Sequence, residues 1–167
     1  MKMQTVSFSN KLGLTLSASL FVPEKATNMT KFPALIVTGP AGAIKEQTAG
    51  LYAETMSKHG FVTVTMDGSF EGESEGTPHY QENPYARIED IRSAVDYLVT
   101  LSMVDDQRIG IIGICAGGGY ASAAAMTERR IKAVALASPV NAGREMRADG
   151  QAVTIKSLQM VADLRTK

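Results

Sequence analysis

The 167-residue chain has one cysteine and two histidines, and both histidines, His59 and His79, precede Cys115. A lone cysteine excludes an intrachain disulfide framework and leaves a free thiol, the state that a reducing compartment maintains. These three residues lack the close spacing of metal ligands, so no metal site is expected. No apolar stretch approaches the ~20 residues that span a bilayer. Residues 1–10 alternate instead of presenting a positive segment followed by an apolar run, so no signal peptide is expected either. Neither sign of charge is in excess: Lys+Arg and Asp+Glu each total 17, which indicates no polyanionic partner and no membrane surface. Basic residues are dispersed, without the interleaved aromatics of a nucleic-acid groove. The expectation is a cytoplasmic protein that binds neither nucleic acid nor membrane.

The length suits one domain with a real core. Residues 5–9 and 14–22 carry period-two patterning across Asn10-Lys11-Leu12-Gly13, which predicts a hairpin. A polar connection over 26–31 leads to a buried strand at 32–38, broken by Gly39-Pro40-Ala41-Gly42. Residues 46–59 have helical periodicity, with Gly60 as the C′ residue. A strand at 61–66 ends at Asp67-Gly68, and a long acidic loop covers 69–83. Asn83-Pro84 predicts a helix start. The stripe Ile88, Ile91, Val95 and Leu98 faces inward, with Arg87, Glu89, Asp90 and Arg92 mostly toward solvent. Ile109, Ile111 and Ile112 predict a strand buried on both faces, followed by a helix whose inner residues are alanines. One more strand occupies 131–137. Residues 141–151 are polar, and Ile155, Leu158, Met160, Val161 and Leu164 mark a last amphipathic helix.

This order predicts a three-layer α/β/α fold, with a mostly parallel sheet and an N-terminal antiparallel hairpin. Right-handed crossovers gather the loops at 39–42, 67–80, 115 and 139–143 at the carboxyl ends of the strands, where open α/β sheets bind ligands. Cys115 lies at the sharpest of these turns, with Gly113 two residues before it and Gly117 two after. A thiol at a helix N-terminus is stabilised as thiolate and makes a nucleophile. The Ala116 N–H, with a second donor from Ala41, would hold the oxyanion of a tetrahedral intermediate. A buried, inert cysteine at a tight turn is the alternative. The glycine cluster fits neither dinucleotide nor P-loop spacing, and Glu71, Glu73 and Glu75 fit a solvated acidic loop.

The segment Gly113-Ile114-Cys115-Ala116-Gly117-Gly118-Gly119-Tyr120 resembles the nucleophile elbow of the α/β-hydrolase superfamily, in the cysteine form of dienelactone-hydrolase-like proteins. Three further pieces resemble the same branch in matching order. They are Lys45-Glu46-Gln47, then Asp67-Gly68-Ser69 with Gly72-Glu73-Ser74-Glu75-Gly76, then Pro84-Tyr85-Ala86-Arg87 with Glu89-Asp90. The resemblance implies Cys115 as nucleophile and Ala116 with Ala41 as oxyanion hole. It implies hydrolysis or transfer at a small ester, lactone or thioester, without metal or organic cofactor.

Members of this superfamily continue past the sixth strand into a cap region and two further strands, which bring the catalytic acid and histidine. By that comparison residues 1–140 are the core, 141–167 begin a cap-like region, and the chain is truncated after its sixth strand. His59, at a helix end away from the catalytic edge, suits solvent or packing. His79, in a loop on the catalytic edge, is the candidate substitute base, with ligand contact or loop structure as its alternatives. The strand at 131–137 would be an open apolar edge, prone to pair with another chain. A homodimer through that edge is expected, with residues 155–164 covering the exposed surface. The competing class is non-enzymatic: an incomplete hydrolase fold with a binding or structural role, or a fragment of a longer hydrolase.

Overall fold

The computed structural model describes residues 1–24, 30–148 and 150–166, so the connection expected over 26–31 lies largely outside the described residues. Strands β1 (Lys2–Ser9) and β2 (Thr15–Val22) form the expected hairpin, with Ser9 opposite Thr15 and Lys2 opposite Val22. Asn10 builds its turn: Oδ1 accepts from the Leu12 and Leu14 amides, each at 3.0 Å. Then come β3 (Phe32–Thr38), α1 (Thr48–Lys58), β4 (Val62–Met66), α2 (Pro84–Thr100), β5 (Val104–Ile114), α3 (Ala116–Ala125) and β6 (Ile131–Ala137). Two helices, α4 (Ala142–Ala148) and α5 (Gln151–Arg165), follow.

The sheet order is β1-β2-β4-β3-β5-β6. β2 runs antiparallel to β4, while β4, β3, β5 and β6 are mutually parallel. This is the expected mostly parallel sheet with an antiparallel hairpin at one side. Helix α1 packs Ala49 and Ala53 with Leu35, Val37, Ile112 and Ile114 on one face. On the other face Ile91, Val95 and Leu98 of α2 and Ala121 and Ala124 of α3 join Ile36, Val64 and Ile111.

Local chemistry sets the helix ends. The Asn83 side chain accepts from the Tyr85 and Ala86 amides, at 3.1 and 3.3 Å, with Pro84 in the first turn. At the end of α1 the Gly60 amide reaches Ser57 O and the Phe61 amide reaches Met56 O, at 3.0 and 3.3 Å. That pair of bonds is a Schellman motif, and it requires the left-handed Gly60, whose φ is +94°.

Chain direction reverses around β3. The chain leaves β3 toward β4 on one side, then returns across it to β5 on the other, placing α1 and α3 on opposite faces of the sheet. The carboxyl ends of β3 and β5 therefore border a crevice at a topological switch point. Thr38 pairs in register with Gly113, setting the loop after β3 beside the turn after β5.

Several expectations fail. Arg87 and Asp90, expected to face solvent, are both buried. Their positions on α2 lie where the helix meets the loop after β4, so the apolar stripe alone understates the buried face. Glu71 is buried as well, within a loop read as solvated. α1 begins at Thr48, and β5 begins at Val104, well before Ile109. The polar segment after β6 contains helix α4. β6 is the open edge expected, and within one chain Val134 and Leu136 stay 42% and 44% exposed and Ile155 and Leu164 58% and 65% exposed; cover by 155–164 was expected of the dimer.

Candidate active site

The turn from β5 into α3 holds Cys115 in a backbone conformation that side chains rarely adopt, φ 56° and ψ −122°. Such a conformation costs about 1–3 kcal/mol and persists only where its surroundings enforce it. Here they do. The Cys115 amide donates to Ala137 O at 3.0 Å, and its carbonyl accepts from Gly118 and Val140, at 3.0 and 2.9 Å. Both backbone groups are thereby satisfied at the mouth of the helix. The thiol is half-buried, packed on one side against the apolar cluster under α1. As the first residue of α3, Ala116 has an N–H with no acceptor inside its own helix.

Two glycines make the turn sterically possible. A β-carbon on Gly113 would lie 2.6 Å from Gly118 Cα, and one on Gly117 would lie 2.7 Å from Thr38 O. Because the obstacles are backbone atoms, neither can swing aside. Gly117→Ala is expected to destabilise the fold by about 1–3 kcal/mol as an overpacking change. Urea unfolding measures this; an unchanged midpoint would contradict the close approach.

The loop after β3, carrying Ala41, is laced to α3. The Gly117 amide donates to Gly39 O at 3.1 Å, and Thr38 Oγ1 donates to Gly117 O at 3.1 Å. The Ala43 amide closes a turn on Pro40 O at 3.2 Å. Gly42, the third residue of that turn, has φ +66°, the pattern of a type II turn.

Beyond that turn the loop is fixed by charge. Lys45 and Asp67 have side chains only 2% and 1% exposed, with Nζ 2.8 Å from Asp67 Oδ2. Nζ also lies 2.8 Å from Glu73 and 2.9 Å from Glu46. The Lys45 amide donates to Asp67 Oδ1 at 2.7 Å, and the Glu73 amide to Oδ2 at 2.9 Å. Burial pulls the Lys45 pKa down, but hydrogen bonds from its ammonium to Asp67, Glu73 and Glu46 outweigh it and hold the pKa above its ordinary value. A β-carbon on Gly72 would overlap the Asp67 carboxylate, so that glycine lets the acidic loop wrap the ion pair.

Asp90 performs a similar service without a cation. It accepts from the Asn10 amide group at 2.8 Å and from Ser69 N and Oγ, both at 2.7 Å. It thereby joins the hairpin turn, the loop after β4 and α2. Next to it on α2, the guanidinium of Arg87 sits 6.0 Å from the ring centre of Tyr120 on α3. Burial, then the facing Glu82 carboxylate, pushes the Tyr120 hydroxyl up to about 12.

The structure thus brings the loop of Ala41 and the N-terminus of α3, with Cys115 and Ala116, to one sheet edge. It does not bring His79 into hydrogen bond with Cys115. His79 is exposed, its Nδ1 3.1 Å from Gly76 O and its ring edge-on to Tyr80. His59, also exposed, bonds Thr55 O at 2.9 Å at the far end of α1. Among the described residues no group of three or more His, Cys, Asp or Glu side chains is placed to hold a metal ion. None of their helices is long and apolar enough to cross a membrane. Periodicity missed Asp67, Asp90, Arg87 and Glu82. For two of them a glycine was the available signal: Gly68 yields space to Arg87, and Gly72 to Asp67.

Comparison with known proteins agrees with this architecture. A sequence model of the X-Pro dipeptidyl-peptidase (S15 family) matches residues 13–167. The uncharacterized protein YcjY of Escherichia coli (strain K12) is 47% identical over 155 residues, covering 92% of this chain and 50% of that protein. Thiohydrolase aneE of Aspergillus aculeatus is 29% identical over 164 residues, covering 96% of this chain and 50% of its own length. The crystal structure of hypothetical protein PA2218 from Pseudomonas aeruginosa superposes with a TM-score of 0.94 at 37% identity, over 98% of this chain and 52% of the other. The chain therefore spans about half the length of the relatives it matches.

Proposed function

Because the chain belongs to the X-Pro dipeptidyl-peptidase (S15) family, within the α/β-hydrolase superfamily, we propose that it performs acyl transfer with Cys115 as the nucleophile. The substrate class is a small ester, lactone or thioester, and no cofactor takes part. The observation that carries this reading is the strained, fully bonded backbone of Cys115 at the start of α3, beside the Ala41 loop. A structural cysteine has no need of such a conformation, whereas a nucleophile lifted above a sheet edge does.

In the proposed step the thiolate adds to the carbonyl carbon, and the carbonyl π pair moves onto oxygen. The N–H groups of Ala116 and Ala41 hold that oxyanion. Collapse re-forms the carbonyl and breaks the bond to the leaving group, which takes a proton from water, leaving a thioester on Cys115. Water then adds to the thioester, the C–S bond breaks, and acid and thiolate are released. Expelling an amine would require a proton donor at the leaving nitrogen. Among the described residues no side chain is hydrogen-bonded to Cys115, which favours esters and thioesters over amides. The name thiohydrolase, carried by one relative, supports the thioester end of that range.

The finer parts of the reading are likewise proposed. The elbow cysteine favours the dienelactone-hydrolase-like branch, and His79 is proposed as the substitute base of the second step, with ligand contact or loop structure as its alternatives. Residues 1–140 form the core, and 141–167 begin a cap-like region. Two copies associate through the exposed edge of β6, in the cytoplasm. Light scattering at high micromolar concentration is expected to give twice the chain mass, and a monodisperse monomer rejects that association. The chemistry is tested with p-nitrophenyl acetate. A burst of nitrophenolate of about one equivalent per chain is expected, followed by slower turnover; no burst from folded protein counts against it.

A further inference from the structure

We infer that Glu82 is a positioning residue for acyl transfer: it clamps the turn that carries the Ala41 donor and ties it to the elbow helix. The inference rests on the proposed function above and deepens it.

The loop from Gly39 to Lys45 is secured at both ends but not at its apex. At the start, Gly39 O is bonded to the α3 amide of Gly117 at 3.1 Å, and at the end the Lys45 amide is bonded to Asp67 at 2.7 Å. Between them the corner at Ala41 and Gly42 projects from the sheet, and both residues are exposed. Type I and type II turns differ by a flip of the central peptide, here the one joining Ala41 to Gly42. The glycine imposes little barrier to that flip, because a left-handed φ is open to it and nothing lies within 4 Å of where its β-carbon would stand. The corner therefore needs an external acceptor to fix the Gly42 amide, and with it the turn whose preceding peptide, Pro40–Ala41, carries the Ala41 N–H.

Glu82 supplies it. Its Oε2 accepts from the Gly42 amide at 3.3 Å, across 40 residues of sequence. Its other oxygen, Oε1, lies 3.9 Å from Arg87 Nε and makes no hydrogen bond among the described residues. Arg87 is itself buried under Gly68, where a β-carbon would overlap the guanidinium, and its Nη1 is likewise without a hydrogen bond there. Tyr120, one turn into α3, faces the same carboxylate. Glu82 thus stands among the loop, α2 and the helix that Cys115 begins. A negative charge that meets a guanidinium, a phenol and a backbone amide, its side chain 29% exposed, is held by charge-assisted contacts, which are stronger than neutral ones. The consequence is a fixed distance between the Ala41 turn and the elbow, which oxyanion stabilisation demands and simple thiol reactivity does not.

That difference gives the test. Attack on an ester builds an oxyanion; displacement on iodoacetamide builds none. In Glu82→Ala the rate of Cys115 acylation by p-nitrophenyl acetate is expected to fall about tenfold, a fraction of the 10²–10³ lost when an oxyanion donor is deleted outright. Alkylation by iodoacetamide is expected to change less than about twofold, since thiolate reactivity is set by the helix terminus. Glu82→Gln keeps an acceptor for Gly42 and is expected to recover most of the acylation rate. Hydrogen exchange supplies a readout independent of chemistry: the Gly42 amide should exchange faster in Glu82→Ala and near the parent rate in Glu82→Gln. Equal loss of both reactions, unchanged acylation, or unchanged Gly42 exchange in Glu82→Ala each overturns the clamp. A parent protein that alkylates but never acylates defeats the acyl-transfer reading itself, a result distinct from any of these.

Discussion

Asp67→Ala is expected to lower the unfolding free energy by about 3–5 kcal/mol, the range for removing one partner of a buried ion pair. The argument is one of geometry and burial. Asp67 receives the Lys45 ammonium and amide and the Glu73 amide, at 2.8, 2.7 and 2.9 Å. Its loss leaves an ammonium that water hardly reaches, with only the partly solvated Glu73 and Glu46 as partners. It also frees the Lys45 end of the loop that precedes α1 and the Glu73 amide of the loop after β4. The pair has a pH signature with a definite sign. The folded protein holds the Lys45 pKa above the ordinary 10.5, so the stability it contributes is complete below pH 10.5 and is lost as pH rises beyond it. Tyr120, raised from 10.0 to about 12, contributes in the same direction over a neighbouring window. Urea unfolding from pH 8 to pH 11.5 separates them. The parent should lose stability above about pH 10, and the gap between parent and Asp67→Ala should narrow as Lys45 of the unfolded chain deprotonates while the folded one holds its proton. A gap constant across that range would show that Lys45 and Asp67 are not coupled as described.

Cys115→Ala is expected to reduce acylation by activated esters more than about a thousandfold, because removing a nucleophile removes the covalent route itself. Folding should survive the change. Alanine keeps the β-carbon, and the bonds that hold the turn run through the backbone of residue 115 to Ala137, Gly118 and Val140. Cys115→Ser tests a separate point. Serine is a far poorer nucleophile without a hydrogen-bonded base, and no side chain among the described residues is bonded to position 115. The serine variant should therefore be nearly as inert as the alanine variant. Burst kinetics with p-nitrophenyl acetate on the three proteins, checked for equal thermal midpoints, measures this. Substantial activity in Cys115→Ala would move the nucleophile elsewhere.

The layers of the fold were legible because its periodicities are strong: alternation in the hairpin, isoleucines in β5, alanines along α3. So was the elbow, since Gly113 and Gly117 declare a turn that tolerates no side chains beside Cys115. The buried charges were not. Lys45, Asp67, Arg87 and Asp90 look like surface residues to any pattern of apolar spacing, and the groups that fix them include partners 21 to 80 positions away in sequence. Only the folded loop after β4 brings these groups together, with Gly68 and Gly72 making room. Helix α4 was missed because its residues offer no apolar stripe. α5 was expected from its apolar residues, but their periodicity does not state which surface they meet, and within one chain Ile155, Leu158, Met160, Val161 and Leu164 stay exposed.

The central claim is that Cys115 accepts an acyl group at the mouth of α3. Intact mass spectrometry after brief exposure to p-nitrophenyl acetate, followed by peptide mapping, tests it most directly. The account predicts a single acetyl adduct on the peptide containing Cys115, absent from Cys115→Ala and removed by hydroxylamine. Folded protein that stays unmodified, or that carries the acetyl group on another residue, would contradict it.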